Sequence, residues 1–217
     1  MDYSVLVIAA GSGAAKGKSY RRAFASFKGK RSVLGQTVSI FLDDPNCKQI
    51  VIVASPADLP RVVKSHDTGK VLFVKGGKTR MESVFIGLTA VSEDVVLIHD
   101  GVRPWIRQQY IDRLLQRMHE EKACVLAIRP KGSLRRTENG YITERVKTDD
   151  IVMTQTPQAF HTSVILKAYR KAIDEGLLLY DDAEVLSEVT DIPVAVEKGD
   201  LRNTRFLLKE NNEKDND

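Results

Sequence analysis

Cysteine and long apolar runs are scarce in this sequence of 217 residues. Cys47 and Cys124 stand alone, without the spacing of metal ligands, and are predicted to be small buried apolar residues in a reducing compartment. No window approaches the roughly 18 uninterrupted apolar residues of a membrane span. Met1 to Ser4 lead directly into a strand-like run, without the basic and cleavable apolar segments of a secretory signal. These absences predict a cytoplasmic protein with no membrane partner.

Internal repeats and low-complexity linkers are also lacking. The length suits one large domain, and we place it at residues 1–208. Residues 209–217 are polar and charged, without apolar periodicity, and are predicted to form a disordered tail.

Basic residues outnumber acidic ones, which gives a formal net charge of +4 and a pI of about 9.0. Such a balance suits a nucleic-acid partner, but an anionic small molecule needs the same basic groups in fewer places. The basic residues are densest beside a glycine-rich loop, at Lys16, Lys18, Arg21, Arg22, Lys28, Lys30 and Arg31. No nucleic-acid recognition motif accompanies them. Their position beside the loop therefore favours a small phosphate-bearing ligand, and nucleic acid is not expected as a partner. A solvated basic face is the alternative interpretation.

Short apolar, β-branched runs alternate with helical periods along the chain. The runs lie at residues 5–9, 49–54, 71–74, 95–98 and 123–128, and helical spacing follows at residues 84–91 and 111–118. This order predicts an α/β fold with a Rossmann-like, doubly wound, mostly parallel sheet. Ligands bind such sheets at the carboxyl ends of the strands. The site is therefore expected near residues 9–17, 76–83 and 99–104.

Residues 131–152 break the alternation. They are polar and basic, carry the turn signal Glu138-Asn139-Gly140, and have β-favouring residues beyond it. This segment is predicted to be a protruding β-hairpin arm. A helical period at residues 165–172, a short helix opening near Asp181 and Asp182, and a strand at residues 194–196 are expected after it.

Ala9-Ala10-Gly11-Ser12-Gly13 follows the first predicted strand. Its glycines allow main-chain N–H groups to approach a triphosphate closely. A plain turn is the alternative, since the spacing matches neither the P-loop nor the dinucleotide fingerprint. A bound triphosphate also needs cations and usually a divalent metal, which the basic run from Lys16 and a strand-end carboxylate are able to supply.

Asp100 is that carboxylate, because it lies one residue past the predicted strand at residues 95–98. It suits a magnesium ligand near phosphates, and the alternative is an ion pair with Arg103 or a cap on a helix after Pro104. The loop at residues 76–83 also joins a strand to a helix, where Ser83 either binds a base or caps the helix. His99 and His161 lack ligand spacing and are interpreted as structural.

Several motifs occur in order over nearly the whole chain. They are Ala9-Ala10-Gly11-Ser12-Gly13, Gly76-Gly77-Lys78-Thr79-Arg80 with Ser83-Val84, His99-Asp100-Gly101-Val102-Arg103-Pro104, Gln155-Thr156-Pro157-Gln158-Ala159-Phe160 and Asp181-Asp182-Ala183. In order and spacing they resemble the 2-C-methyl-D-erythritol 4-phosphate cytidylyltransferase family, and His-Asp-Gly-Val-Arg-Pro and Gln-Thr-Pro-Gln are the most specific of them.

The resemblance implies transfer of CMP from magnesium-bound CTP to methylerythritol phosphate, with release of pyrophosphate, in non-mevalonate isoprenoid synthesis. It implies that the first loop, Gly77, Ser83 and Gly101 bind CTP. It also implies that Asp100 ligates Mg²⁺ and that Arg103 and Asp182 lie beside the sugar phosphate. The hairpin arm is implied to clasp a second subunit and to complete that subunit's substrate site, so a homodimer is expected.

The chain departs from the family's pattern around its basic residues. Ala15 replaces an arginine, Arg21-Arg22 replaces Pro-Lys, Gly132-Ser133 replaces Asp-Thr, Thr148 replaces an arginine, and Arg205 stands at the lysine of Asn-x-Lys-x-Thr. By the family's pattern Arg22 and Arg205 stand at catalytic lysines, and Lys16, or alternatively Lys18, takes the place of the arginine missing at Ala15 as the third candidate catalytic cation. Ser133 still supplies an acceptor-binding hydroxyl. The departures in the arm, at Gly132, Ser133 and Thr148, affect positions that concern binding of the acceptor. Another polyol phosphate such as ribitol 5-phosphate, or a non-catalytic nucleotide-binding homologue, is the alternative.

Overall fold

A seven-stranded sheet forms the centre of the molecule, in a computed structural model that describes residues 1–9, 22–29, 31–58, 60, 62 and 69–207. The sheet strands are β1 (Tyr3–Ile8), β4 (Cys47–Ala54), β5 (Val71–Lys75), β6 (Val95–Asp100), β7 (Ala123–Ile128), β10 (Met153–His161) and β11 (Ala195–Lys198). Their order across the sheet is β11-β7-β10-β6-β1-β4-β5. β10 runs antiparallel to both neighbours, and the remaining pairs are parallel. The mostly parallel sheet is confirmed.

Helices cover both faces of this sheet. The helices are α1 (Val33–Asp43), α2 (Arg80–Leu88), α3 (Gln108–Arg117), α4 (Thr162–Asp174) and α5 (Asp182–Val189). β1 is buried along its whole length, and its alternate side chains enter two separate cores. One core contains α1 and α3, and the other contains α2, α4 and α5. The continuous apolar run of β1 therefore reflects burial on both faces, as the doubly wound prediction requires.

The predicted apolar runs all became strands, with ends that differ by a few residues. α1 and β10 were not predicted. β10 contains Pro157 between polar residues, and its pairing with β7 shifts register between Thr154 and Gln158. Proline and polar side chains are unusual inside a central strand, so the residue pattern does not indicate that β10 is a strand.

The arm is a two-stranded hairpin of β8 (Arg135–Glu138) and β9 (Tyr141–Arg145), and every residue of both strands is exposed. Asn139 and Gly140 form its turn with φ values of 51° and 85°, the left-handed conformation that Asn-Gly hairpin turns adopt. The predicted arm is thus confirmed. A smaller pair, β2 (Ser26–Phe27) and β3 (Arg31–Ser32), precedes α1.

Parallel strand ends meet at one edge of the sheet. Ile8, the last residue of β1, is paired with Asp100, the last residue of β6, and Ala54 of β4 is paired with Lys75 of β5. The expected site segments at residues 76–83 and 99–104 leave the sheet here. Within the described ranges, no helix is long and apolar enough to cross a membrane.

Candidate active site

Asp100 lies at the centre of this edge and is almost fully buried. Its main-chain N–H donates to Thr156 Oγ1 at 3.0 Å. The Nε groups of Arg103 and Arg205 both donate to its Oδ2 atom, at 3.0 and 2.9 Å. The ion pair with Arg103 is therefore formed, whereas the helix after Pro104 begins only at Gln108 and is not capped by Asp100.

The arginines keep the Asp100 carboxylate ionised. Burial alone would raise its pKa, but Arg205, Arg80 and Arg103 together hold the pKa well below its usual range. A buried carboxylate in this state is a strong ligand for cations as well as for guanidinium groups.

Asp100 also fits a magnesium ligand by the chemistry of its surroundings. No group of three or more His, Cys, Asp or Glu residues converges on a metal position among the residues that the structure describes. Mg²⁺ does not need such a cage, since it keeps several waters and usually binds one or two carboxylates together with substrate phosphates. Both guanidinium bonds fall on Oδ2, and a single ionised carboxylate of this kind suits an ion that is held largely by phosphate. The assignment of the metal to Asp100 stays a prediction.

His99 has a structural environment. It is fully buried, and burial lowers its pKa to about 4, so the ring is neutral near pH 7. Thr156 Oγ1 accepts from the Asp100 N–H, which leaves its own hydrogen for His99 Nδ1 at 2.9 Å. The His99 Nε2–H then donates to the carbonyl oxygen of Arg103 at 3.2 Å. The ring thus braces the loop on which Arg103 lies.

The loop before α2 is closed by its own side chains. Thr79 is the N-cap of α2 and accepts from the Glu82 N–H at 3.0 Å. Ser83, which is 1% exposed, accepts from the Gly77 N–H at 3.1 Å and donates to the Thr79 carbonyl at 2.8 Å. Ser83 therefore braces the loop and does not cap the helix. Nucleotide binding by Gly77 and Ser83 stays a prediction.

Gly101 occupies a position with little room for a side chain. Its N–H donates to the Ile8 carbonyl at 2.9 Å. An added Cβ would stand 3.0 Å from that oxygen and 3.1 Å from Leu34 Cδ1. The close spacing of β1 and β6 thus favours glycine at this position, independently of its predicted role in nucleotide binding.

Asp182 is buried completely and is bound on both carboxylate oxygens. Arg80 donates to Oδ1 and Oδ2 at 2.8 Å each, and Tyr169 donates its hydroxyl to Oδ1. Arg80 is also among the charges that lower the pKa of Asp100, so it serves two carboxylates. Contact of Asp182 with an acceptor, predicted from the resemblance, requires this pair to open and stays a prediction.

The remaining predicted residues are only partly described. Ala9 is 6% exposed and donates its N–H to the Val53 carbonyl, whereas Ala10, Gly11, Ser12, Gly13 and Lys16 lie outside the described residues, as does the predicted tail. Arg22 is half-buried in a helical turn at residues 22–24. Ser133 is exposed at the foot of the arm, beside Gly132 with a φ of 89°.

Polar residues of β10 and of the last described segment join the parts of the site, and the residue patterns did not assign them roles. Gln158 donates to Asp181 Oδ1 and accepts from the Ala183 N–H, both at 2.9 Å. Asn203 donates to the Thr156 carbonyl at 2.8 Å. The Gln155–Phe160 motif was the sequence feature that drew attention to β10. It is specific to the family, but it does not indicate which residues this strand contacts.

Comparisons with known proteins agree with this geometry. The family model for 2-C-methyl-D-erythritol 4-phosphate cytidylyltransferase matches residues 3–211. A protein of that name from Halalkalibacterium halodurans is 34% identical over 215 residues, with 97% of this chain and 93% of that protein covered. Another from Geotalea uraniireducens is 33% identical over 219 residues, with 97% and 93% covered.

Solved structures give the same result. A 4-diphosphocytidyl-2C-methyl-D-erythritol synthase from Anaerococcus prevotii superposes with a TM-score of 0.83 at 26% identity, over 96% of this chain and 93% of that one. A 2-C-methyl-D-erythritol 4-phosphate cytidylyltransferase from Thermus thermophilus superposes with a TM-score of 0.78 at 26% identity, over 96% and 94%. Sequence, fold and site together place this chain in the 2-C-methyl-D-erythritol 4-phosphate cytidylyltransferase family.

Proposed function

We propose that the chain transfers CMP from CTP to 2-C-methyl-D-erythritol 4-phosphate and releases pyrophosphate, as a step of non-mevalonate isoprenoid precursor synthesis. The observation that carries the proposal is the ionised Asp100 carboxylate at the joined ends of β1 and β6, with Arg103 and Arg205 bound to it. Cations and a potential metal ligand thus lie at the sheet edge where nucleotides bind in this fold class.

The reaction requires positioning more than covalent catalysis. An oxygen of the acceptor phosphate attacks the α-phosphorus of CTP in line. The bond from that phosphorus to the bridging oxygen breaks, and pyrophosphate leaves with the electron pair. Charge accumulates on phosphate oxygens during such a transfer, so fixed cations stabilise the transition state. Arg22, Arg205 and Lys16 are proposed to act in this way, and Arg103 is proposed to hold the acceptor phosphate.

Asp100 is the residue proposed to hold Mg²⁺. The ion would neutralise charge on the triphosphate when bound. Gly77, Ser83 and Gly101 are proposed to contact the nucleotide together with residues 9–13. The part of Gly77 and Ser83 is supported by the closed loop between β5 and α2, and that of Gly101 by its place directly after β6, both at the ligand-binding edge of the sheet.

A homodimer is part of the proposal. Tyr141 and Ile142 on the arm are 76% and 70% exposed, and an isolated two-stranded hairpin is only marginally stable in water. Another surface is therefore expected to cover the arm, and a second copy of this chain would bring Ser133 to its partner's acceptor site. A cytoplasmic location is supported by Cys47 and Cys124, which are both buried and free.

The direct test is pyrophosphate release by the purified full-length chain with CTP and Mg²⁺. Methylerythritol phosphate and ribitol 5-phosphate are supplied in separate reactions, and Asp100→Asn protein prepared in parallel controls for contaminating activity. We expect release with methylerythritol phosphate and at most slow release with ribitol 5-phosphate. Preference for ribitol 5-phosphate would assign the chain to the other polyol phosphate. CTP binding without release in either reaction would support the non-catalytic alternative.

A further inference from the structure

Phe27, Trp105 and Phe206 form an aromatic cluster beside the arginines of the site. The ring centroids of Phe27 and Trp105 are 4.8 Å apart at an interplanar angle of 60°, and those of Phe27 and Phe206 are 6.3 Å apart at 59°. The three rings come from separate segments, namely β2, the loop after β6 and the last described segment of the chain. Two of these segments carry a guanidinium group that binds Asp100.

From this arrangement we infer that Phe206, packed in the aromatic cluster, is a positioning residue for Arg205. The inference rests on the proposed function, in which Arg205 acts on the phosphates. It adds a residue that acts through its neighbour in the chain.

Arg205 needs such an anchor because its segment has no secondary structure of its own. Residues 199–207, where the described chain ends, contain no helix or strand. The Arg205 side chain is 57% exposed, yet its Nε lies 2.9 Å from Asp100 Oδ2. Holding so long and exposed a side chain in one geometry costs rotamer entropy, which its attraction to the buried carboxylate has to offset. The backbone on either side must therefore be fixed.

Two anchors fix that backbone. Before Arg205, Asn203 donates through Nδ2 to the Thr156 carbonyl at 2.8 Å. After Arg205, the Phe206 N–H donates to the Val102 carbonyl at 2.7 Å, and the Phe206 ring packs toward Phe27. Arg205 thus lies between two fixed residues, Asn203 with its hydrogen-bonded side chain and Phe206 with its packed ring. A substitution of Phe206 removes the ring contact but keeps the backbone hydrogen bond to Val102.

The same cluster links Arg205 to Arg103. Trp105 lies two residues after Arg103, and Arg103 Nη1 donates to the Asn203 carbonyl at 2.7 Å. The loop with Arg103 and the segment with Arg205 are therefore joined by this hydrogen bond, by the Phe206–Val102 backbone hydrogen bond and by the aromatic cluster. Both guanidinium groups reach the same carboxylate oxygen.

The kinetic test is a double-mutant cycle between Phe206→Ala and Arg205→Ala. We expect Arg205→Ala to lower kcat/KM by roughly 10²-fold and Phe206→Ala by roughly 10-fold. The double variant should be no slower than Arg205→Ala alone, since Phe206 acts through Arg205. Leu207→Ala is the matched control, because Leu207 is adjacent, apolar and 69% exposed, and it should change kcat/KM by less than about twofold. Multiplicative effects of the two substitutions, or a silent Phe206→Ala, would overturn the inference.

NMR spectroscopy tests the position of the Arg205 side chain and does not depend on enzymatic activity. The Nε–H cross-peak of Arg205 in a ¹H–¹⁵N spectrum is assigned by its loss in Arg205→Lys. In the unaltered chain and in Leu207→Ala it should be shifted and protected from solvent exchange, and in Phe206→Ala it should move to the position of a free guanidinium. A cross-peak unchanged in Phe206→Ala would overturn the inference, even if the chain proved inactive with every acceptor. Phe206→Leu keeps an apolar side chain and replaces Phe206→Ala should that variant fail to fold.

Discussion

Arg80 and Asp182 join the first turns of two helices through a pair of 2.8 Å hydrogen bonds between guanidinium and carboxylate. Arg80 is the first residue of α2, and Asp182 is the first residue of α5. The Asp182 side chain is 0% exposed and that of Arg80 is 21% exposed. The loop at residues 76–79 is thus tied to α5 through a bond that water scarcely reaches.

We expect Arg80→Ala to lower the free energy of unfolding by about 3–5 kcal/mol, because it leaves a buried carboxylate without its partner. Lys48→Ala is the control, since the Lys48–Asp2 pair is 45% and 55% exposed and should contribute less than about 1 kcal/mol. Denaturant titration of both variants measures the difference. Equal losses would show that the Arg80–Asp182 pair contributes no more than a surface pair.

Much of the fold follows from local patterns. β1, β4 and β6 are continuous apolar runs because both sheet faces are covered, and the arm turns at Asn139-Gly140 because those residues accept a left-handed backbone. Such signals involve neighbours in the sequence. They predicted the sheet, the arm and the edge at which the site lies.

The site itself depends on contacts that no local pattern encodes. Arg80 and Asp182 are 102 positions apart, and Arg205 and Asp100 are 105 positions apart. A resemblance to the family marks these residues as specific, but it does not say that Asp182 is buried against Arg80. β10 was not predicted for a related reason, because its polar residues face hydrogen-bond partners from distant segments.

Asp100→Asn should slow pyrophosphate release by at least about 10²-fold, because it removes the charge proposed to hold Mg²⁺ while keeping the shape of the side chain. Asp191→Asn is the control, since Asp191 is exposed in the loop between α5 and β11. Release is measured across a Mg²⁺ titration, and thermal unfolding of both variants verifies the fold. Undiminished release at every Mg²⁺ concentration would leave Asp100 with a purely structural role in pairing the arginines.

The arm provides a test of assembly. Replacing Tyr141 and Ile142 by serine should lower the mass in solution from twice the chain mass of 24.2 kDa toward a single chain, because the apolar surface that needs a cover is gone. Serine at Leu178 and Tyr180, which are 77% and 81% exposed outside the arm, should leave the mass unchanged. Light scattering after size-exclusion chromatography distinguishes the two variants. An unchanged mass in both would separate the arm from oligomerisation.

The two thiols predict how stability changes at alkaline pH. Burial raises the pKa of Cys47 and of Cys124 from about 9 to about 11. The folded state therefore holds its thiol protons where the unfolded state has released them. This contribution, on the order of 2–3 kcal/mol for each thiol, is fully present below pH 9 and is lost as pH rises from 9 through 11.

Denaturant titrations between pH 8 and pH 11 measure that loss. Burial also raises the pKa of Tyr3 well above its usual value, which acts in the same direction. The unaltered chain must therefore be compared with Cys47→Ala/Cys124→Ala, whose unfolding free energy should fall less steeply with pH. Parallel profiles for the two proteins would contradict the assignment.

Arg22 stands where the family places a lysine beside the α-phosphate. Guanidinium is a planar fork that binds two oxygens at once, whereas ammonium is a compact charge that follows a single oxygen as the phosphorus becomes pentavalent. Arg22 should support catalysis, but less well than lysine. Arg22→Ala should therefore lower kcat by roughly 10²-fold, as expected for loss of a preorganised donor worth about 2.7–4 kcal/mol. Arg22→Lys should be neutral or faster.

Arg31→Ala is the matched control for this prediction, because Arg31 belongs to the same basic run and is exposed on β3. It should change kcat/KM by less than about twofold and alter mainly the salt dependence, as expected of a solvated charge. Steady-state kinetics of the three variants at fixed ionic strength separate a charge at the transition state from one on a basic surface. If Arg22→Ala behaves like Arg31→Ala, Arg22 belongs to the solvated face, and the charge at the α-phosphate must come from another residue.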